Sequence, residues 1–213
     1  MQETLLRNVL QNVPTGVSVT EMAEDLSVIH RHDCAAAIWN RAPMPEFQSW
    51  IDGLDPEVLP QVRLILRPDA VQRSVTHLLD SAQTPPCAQR DRLGEDISAL
   101  ADLFARIMRV RYIRLRLDVV QTNACRKFHI DAVTARLVCS YRGLGTQLGV
   151  MNGNAEPQPL VTVPTGAPVV LRGTKWPEYP RSDLVHRSPP IEGTGETRLI
   201  VVLDPVIDPD MEI

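Results

Sequence analysis

The stretch CRKFHID, Cys125 to Asp131, places a thiol, an imidazole and a carboxylate close together in the chain. His129 and Asp131 stand two residues apart, so in an extended backbone they project from the same face. Far downstream, the run HRSPPIEGTGETRLIVVLD (186–204) supplies His186 and then Arg198 at the head of an apolar stretch. Two histidines and one carboxylate can occupy one face of an octahedral Fe(II) and leave the remaining positions open for substrate and oxygen. An arginine beyond the second histidine is suited to clamp a carboxylate through paired, charge-assisted hydrogen bonds. Cys125 adds a different option, because thiolate favours zinc, and Cys125, His129, Asp131 and His186 could close a tetrahedral Zn(II) site. Plainer readings stand beside these. Asp131 could pair with a nearby arginine while a neutral His129 packs in the wall, and Cys125 could serve as a small buried hydrophobe.

The elements that must position these residues change texture along the chain. Up to about residue 111 the sequence mixes helix and strand signals. PEFQSWIDGL (45–54) reads as a helix with proline at its first position, VRLILR (62–67) as a strand, and DAVQRSVTHLLD (69–80) as a helix capped by Asp69. Leu93, Ile97, Leu100, Phe104 and Ile107 recur at helical spacing and form one apolar stripe. From Tyr112 the period becomes two. In IRLRLDVVQTNAC, Ile113, Leu115, Leu117 and Val119 oppose Arg114, Arg116 and Asp118. Further strands are expected over 133–141, 159–163, 168–173 and 198–203, with turns at Asn152-Gly153, Thr165-Gly166 and within 192–197.

Strand parity extends the reading of the opening stretch. Extended from His129 to Tyr141, the chain puts His129, Asp131, Val133, Ala135, Leu137, Cys139 and Tyr141 on one apolar, inward face. An ionised carboxylate on such a face needs compensation, since desolvating it costs several kcal/mol. A cation held with His129, or an arginine, would supply it. Gln121 and Asn123 share parity with Leu117 and Val119 and are candidates to hydrogen-bond a co-substrate, with strand-end capping as the alternative. Arg172 and Lys175 are substitute carboxylate partners should Arg198 face outward. HRHDC (30–34) puts His30 and His32 on one face of an extended segment, but no neighbouring cluster completes a metal shell, and AAAIW continues it as a buried strand. His77 falls among Val75, Leu78 and Leu79 on its helix, and Tyr141 and Trp176 fit core packing better than pocket lining.

Composition bounds the alternatives. The chain has 213 residues, 44% of them hydrophobic, and a net charge of -4, which offers no electrostatic reason for nucleic acid or an anionic membrane as partner. No apolar run is long enough to cross a bilayer. The segment MQETLLRNVLQNVP reads as an amphipathic helix rather than a signal peptide. Four scattered cysteines without paired spacing place the protein in a reducing cytoplasm. There is no phosphate loop, nucleophile elbow or dinucleotide fingerprint.

At His129, Asp131, His186 and Arg198 the chain resembles the Fe(II)/2-oxoglutarate-dependent oxygenases over roughly residues 112–204. PTGAPVVLRG (164–173) is similar to the strand that precedes the distal histidine in them. The resemblance implies an α+β protein with a mainly β core, a double-stranded β-helix of the cupin or jelly-roll type over 112–213. Residues 1–111 would form an α/β extension whose helices pack outside it. It also implies Fe(II) on His129, Asp131 and His186, with 2-oxoglutarate held by Arg198, and hydroxylation of a small-molecule or protein substrate. The runs CRKFHID, YRGLGTQ and HRSPPIEGTGETRLIVVLD are in addition similar to those of a bacterial domain-of-unknown-function family associated with zinc-responsive operons. That likeness implies the alternative, a non-catalytic Zn(II)-binding protein of metal homeostasis with Cys125 as an extra ligand. Substrate choice in such barrels lies in loops and in the N-terminal extension.

Overall fold

The computed structural model describes residues 13–151, 153, 156–177 and 183–211. The helix expected at the N-terminus falls almost wholly outside them. Three α-helices form where the sequence signals placed them, proline for the first, the expected cap for the second and apolar periodicity for the third. Helix α1 (Pro45–Asp52) starts with a proline whose missing N–H is an unpaired position in any case, and it buries Phe47 and Ile51. Helix α2 (Val71–Ser81) buries Val71, Val75 and Leu79 at a spacing of one turn. The expected cap by Asp69 does not form. A short 3-10 turn (Pro68–Ala70) leads into the helix, and Asp69 instead pairs with Arg67 at 3.3 Å on the surface. Helix α3 (Ala88–Met108) carries the full apolar stripe, and Arg109 ends it in the left-handed region.

Strands β1 (Val17–Thr20), β2 (Ala36–Trp39), β3 (Val62–Leu66), β4 (Tyr112–Val120), β5 (Ala135–Arg142), β6 (Gln147–Val150), β7 (Val161–Thr162), β8 (Val169–Arg172), β9 (Leu184–Arg187) and β10 (Arg198–Val206) follow in chain order. They assemble a seven-stranded sheet, β1-β2-β8-β5-β10-β4-β3, and a three-stranded sheet, β7-β6-β9. Strands β1 and β2 run parallel. The other neighbours pair antiparallel. The architecture is therefore mixed α+β and mostly sheet. Strands β1, β6 and β9 were not read from the sequence as such.

Side-chain parity divides the large sheet between two cores. Ile113, Leu115 and Leu117 of β4, Leu137 and Cys139 of β5, and Leu199, Val201 and Leu203 of β10 pack with Leu93, Ile97, Leu100 and Phe104 of α3. The alternate residues Val138, Ile200 and Val202 pack with Val169, Leu171, Leu148 and Leu184, the last two from the small sheet. The large sheet is thus a middle layer, with helices on one face and the small sheet on the other. Each fully buried Leu or Phe contributes about 1.5–3 kcal/mol of transfer free energy, so both faces hold the sheet in place. Among the described residues no helix is long and apolar enough to cross a membrane.

This layering corrects the parity reading of the opening stretch. Leu137, Cys139 and Tyr141 face the helices, whereas Arg136, on the alternate face, meets Asp131. The single extended face expected from His129 to Tyr141 is broken at residues 132–134. The break is held by backbone: Thr174 N donates to Asp131 O at 2.8 Å, Gly173 N to Thr134 O at 2.9 Å and Lys175 N to Val133 O at 3.1 Å. A side chain at residue 173 would lie 1.9 Å from the Val133 carbonyl oxygen, so only glycine permits this approach.

Candidate metal centre

His129 and His186 are direct cross-strand partners. Each backbone N–H donates to the other's carbonyl at 3.0 Å, so the segment around His129 lies alongside β9. Directly opposed residues share a face, and the two rings stand with centroids 4.5 Å apart. Asp131, two residues beyond His129, points the same way. The three side chains offer ligand atoms that all lie within 4.8 Å of one another, the one group of its kind among the described residues. His129 Nδ1 lies 2.8 Å from Lys127 O. A carbonyl can only accept, so Nδ1 carries the proton, and in the neutral ring the Nε2 lone pair faces Asp131.

The carboxylate of Asp131 is asymmetrically satisfied. Oδ1 accepts from Arg136 and lies 3.5 Å from His129 Nε2. Oδ2 is buried without a hydrogen-bond partner, with His186 Nε2 3.0 Å away. Burial alone would raise the Asp131 carboxyl, but close contacts with His129 and His186, and the charges of His186 and Arg136, outweigh it and hold the group well below the usual carboxylate range. His129 is held above its ordinary value, first by its contact with Asp131. The donor set of two imidazoles and one carboxylate suits a divalent transition metal. Asp131 Oδ2 is buried with only His186 Nε2 beside it, at 3.0 Å and without good hydrogen-bond geometry, and a cation shared by these groups would satisfy it, so these residues fit one.

Arg136 and Asp204 were not singled out from the sequence. Arg136 Nε donates to Asp204 Oδ1 at 2.6 Å and Nη2 to Asp204 Oδ2 at 2.9 Å. Parity carried the signal for Asp204, because it shares a face with Arg198, Ile200 and Val202 on one apolar strand.

Arg198 is fully buried. Its Nε donates to Leu144 O at 2.6 Å, Nη1 to Ser188 Oγ at 3.0 Å and Nη2 to Ser140 Oγ at 3.3 Å. These partners are all neutral, and no carboxylate among the described residues lies within ion-pair range of it. Burial pulls the guanidinium down to about 10, against the opposing field of Glu196. It therefore stays charged at neutral pH. Gly143, with φ +74°, makes room for it: a Cβ there would lie 2.8 Å from Arg198 Cγ. Ser188, just past the end of β9, stands two residues beyond His186, which sets the guanidinium about 7 Å of extended backbone from that histidine.

The other expected residues fall elsewhere. Cys125 is exposed, adopts φ +52° in a turn and is not a member of the His129–Asp131–His186 group. Strand β4 ends at Val120, and Gln121 is exposed, donating to Thr197 Oγ1 at 3.2 Å. Asn123 Oδ1 accepts from the backbone N–H groups of Ile191 and Glu192 at 2.9 and 3.0 Å, so it fastens the turn between His186 and Arg198. Their expected projection beside Leu117 and Val119 does not occur, since those residues face the helices. Arg172 binds the carbonyls of Ile29 and Arg31 at 2.8 Å and covers the Trp176 ring. His30 lies in a 3-10 helix (Glu24–His30), not an extended segment, and its Nε2 donates to Ile107 O at 2.9 Å. Tyr141 packs against Phe47, and His77 is exposed on α2. A cavity of about 270 Å³ adjoins the centre and is lined by His186 and Ile130 together with Cys34, Leu171, Leu184 and Trp176.

The same architecture recurs in solved dioxygenases. The rice dioxygenase for auxin oxidation superposes over 93% of this chain and 84% of its own, with a TM-score of 0.53 at 13% identity. Dioxygenase for auxin oxidation 1 from Arabidopsis thaliana, in a binary complex with 2-oxoglutarate, superposes over 93% of this chain and 94% of its own, with a TM-score of 0.52 at 14% identity. The fold is thus one that this chain shares with these dioxygenases. By sequence it belongs to the family described as "Protein of unknown function (DUF1826)", which matches residues 20–204. No curated protein matches it significantly.

Proposed function

We propose that this protein is an Fe(II)- and 2-oxoglutarate-dependent oxygenase built on a double-stranded β-helix. One observation carries the reading: a convergent His129–Asp131–His186 group with an orphaned carboxylate oxygen shares a strand line with a buried guanidinium that has only neutral partners. The first invites a divalent cation and the second an anion. Strand order supports the barrel. In chain order β4, the His129 segment, β5, β6, β7, β8, β9 and β10 pass large, small, large, small, small, large, small and large sheet. In this reading residues 112–213 form the barrel, and the preceding strands and helices extend and cover it.

Fe(II), when bound, would supply the activation of O2 coupled to loss of CO2 from 2-oxoglutarate, one oxygen atom entering the substrate and the other the succinate. The chain's own part is positional. His129, Asp131 and His186 would hold the metal and leave it accessible to co-substrate and oxygen. Lys127 O fixes the His129 tautomer. Arg198 binds the distal carboxylate of 2-oxoglutarate, and Ser188 and Ser140 steer its guanidinium. Full burial there excludes water and strengthens the charge-assisted bonds. Asn123 has a supporting part, through the turn that it fastens. The cavity beside His186 favours a small-molecule substrate, and four free cysteines suit a reducing, cytoplasmic setting. A zinc centre completed by Cys125 is not favoured, because that thiol stands outside the group.

Anaerobically purified protein, titrated with Fe(II) and then 2-oxoglutarate by calorimetry, tests the reading. Wild type and Cys125→Ala are expected to bind both. Arg198→Ala should keep the metal and lose about 100-fold or more in 2-oxoglutarate affinity, the worth of two charge-assisted hydrogen bonds. Tight zinc binding lost in Cys125→Ala, with no 2-oxoglutarate binding by wild type, would overturn it.

A further inference from the structure

Arg136 is the cross-strand neighbour of Asp204. The register of β5 and β10 pairs Leu137 with Leu203, so the next position brings Arg136 beside Asp204, and the two form a bidentate pair at 2.6 and 2.9 Å. Asp204 is 2% exposed, and its strand is flanked on both sides within the large sheet, so the guanidinium is anchored to a buried interior strand. The remaining nitrogen, Nη1, reaches out to Asp131 Oδ1 on the segment that pairs with the small sheet. The guanidinium therefore spans the two sheets and ties up one oxygen of the carboxylate. The other, Oδ2, is buried and turned to the histidines, with His186 Nε2 3.0 Å away and no bond to Arg136.

We propose that Arg136, locked by Asp204, is a positioning residue that makes Asp131 a one-oxygen ligand for a divalent cation. The inference rests on the metal reading above and goes beyond it. A carboxylate with both oxygens free can chelate a cation and consume two coordination positions. With Oδ1 held by Arg136, Asp131 spends one, and the three protein ligands leave the maximum number open for incoming ligands. Orientation, not charge, is the function: a cation beside a metal ligand is electrostatically unfavourable for the metal, and it is retained here because it fixes which oxygen points inward.

Co(II) is the probe, titrated into metal-free, full-length wild type, Arg136→Met, Arg136→Lys and Asp204→Asn. Affinity and the visible absorption band are both recorded, the band reporting coordination number, and circular dichroism verifies folding. Arg136→Met is expected to bind about 10–100-fold more weakly with an altered band. Arg136→Lys, which keeps the charge but cannot bridge two carboxylates, should show the altered band as well. Asp204→Asn should move both readouts the same way by less. Tighter binding in Arg136→Met together with wild-type behaviour of Arg136→Lys would show that only the charge matters and would overturn the assignment. Unchanged affinity and spectrum in all variants would overturn it too. Should Arg136→Met fail to fold, Arg136→Lys and Asp204→Asn decide by the same criteria. Failure of wild type to bind Co(II) or Fe(II) removes the metal reading and this inference with it, whereas normal wild-type binding with indifferent variants removes the inference alone.

Discussion

Two arginine–carboxylate networks flank the large sheet, one on each face. On the helix face Arg41 donates to both oxygens of Asp96 at 2.6 Å and to Gly166 O at 2.7 Å, and the Tyr141 hydroxyl donates to the same carboxylate at 2.5 Å. Every strong group there has a partner within the chain. On the opposite face the Arg136 network leaves Asp131 Oδ2 orphaned, and Arg198 has only neutral partners. Both cost desolvation, and a buried network contributes to stability only when it is fully satisfied. The closed network is structural. The open one is not closed within the chain, which is consistent with the proposed cation near the histidines and anion near Arg198.

The sharpest way to break the comparison is to remove one carboxylate from each side. Asp131→Ala is expected to abolish binding of Co(II) and Fe(II), read by metal analysis after gel filtration, while the cooperative thermal transition persists. Asp96→Ala should do the reverse. Arg41 would be left largely buried and uncompensated, at a cost of about 2–3 kcal/mol in urea melts, below the fully buried range because the pair is partly exposed. Metal binding per folded molecule should not change. A smaller effect of the same sign, about 1 kcal/mol, is expected for Tyr141→Phe, which deletes one hydrogen bond to Asp96.

Acidity should separate the two faces further. In metal-free protein the raised His129 contributes stability that is complete below about pH 6.5 and fades as the pH rises through its elevated value. The depressed Asp131 contributes stability that is complete above about pH 4 and fades as the pH falls further. Metal-free protein is therefore expected to be most stable between these limits, and His129→Gln should flatten the alkaline decline. With metal bound the alkaline trend should reverse, because neutral imidazole is the ligand. Urea midpoints from about pH 5 to about pH 9, with and without Co(II), would show it. The smallest expected difference concerns thiols. Burial pushes Cys139 up to about 12, and Cys125 is exposed, so iodoacetamide should label Cys125 in the native protein and spare Cys139, by peptide mass analysis.

Much of this site was legible in the sequence, and the part that was not has a physical cause. The two-residue spacing of His129 and Asp131 correctly put them on one side, because local parity needs only a short extended stretch. Parity failed beyond Asp131 because the turn at 132–134 is imposed by Gly173–Lys175, which lie far along the chain. The same distant contact hid the partnership of Arg136 with Asp131. Helix α3 was visible because its apolar face repeats over 21 residues, and α1 because proline marks its first position. Strand β6 is only four residues long and β9 no longer, too short for a period to declare itself. The register that opposes His186 to His129 is a long-range pairing that no local pattern encodes.

The pairing of His129 with His186 has a dynamic consequence. Among the described residues, the segment carrying two of the three ligands is fastened along this seam by three backbone hydrogen bonds, the reciprocal His129–His186 pair and Ser188 N to Cys125 O at 3.1 Å. In metal-free protein it is therefore expected to open more readily than the large sheet and exchange its amide hydrogens early. A cation held from both sides would act as a clasp across that seam. Amide exchange at His129 and His186 would then slow on metal binding, while the interior of β10 would hardly change. In that sense the seam is a gauge of occupancy, readable without any assay of activity.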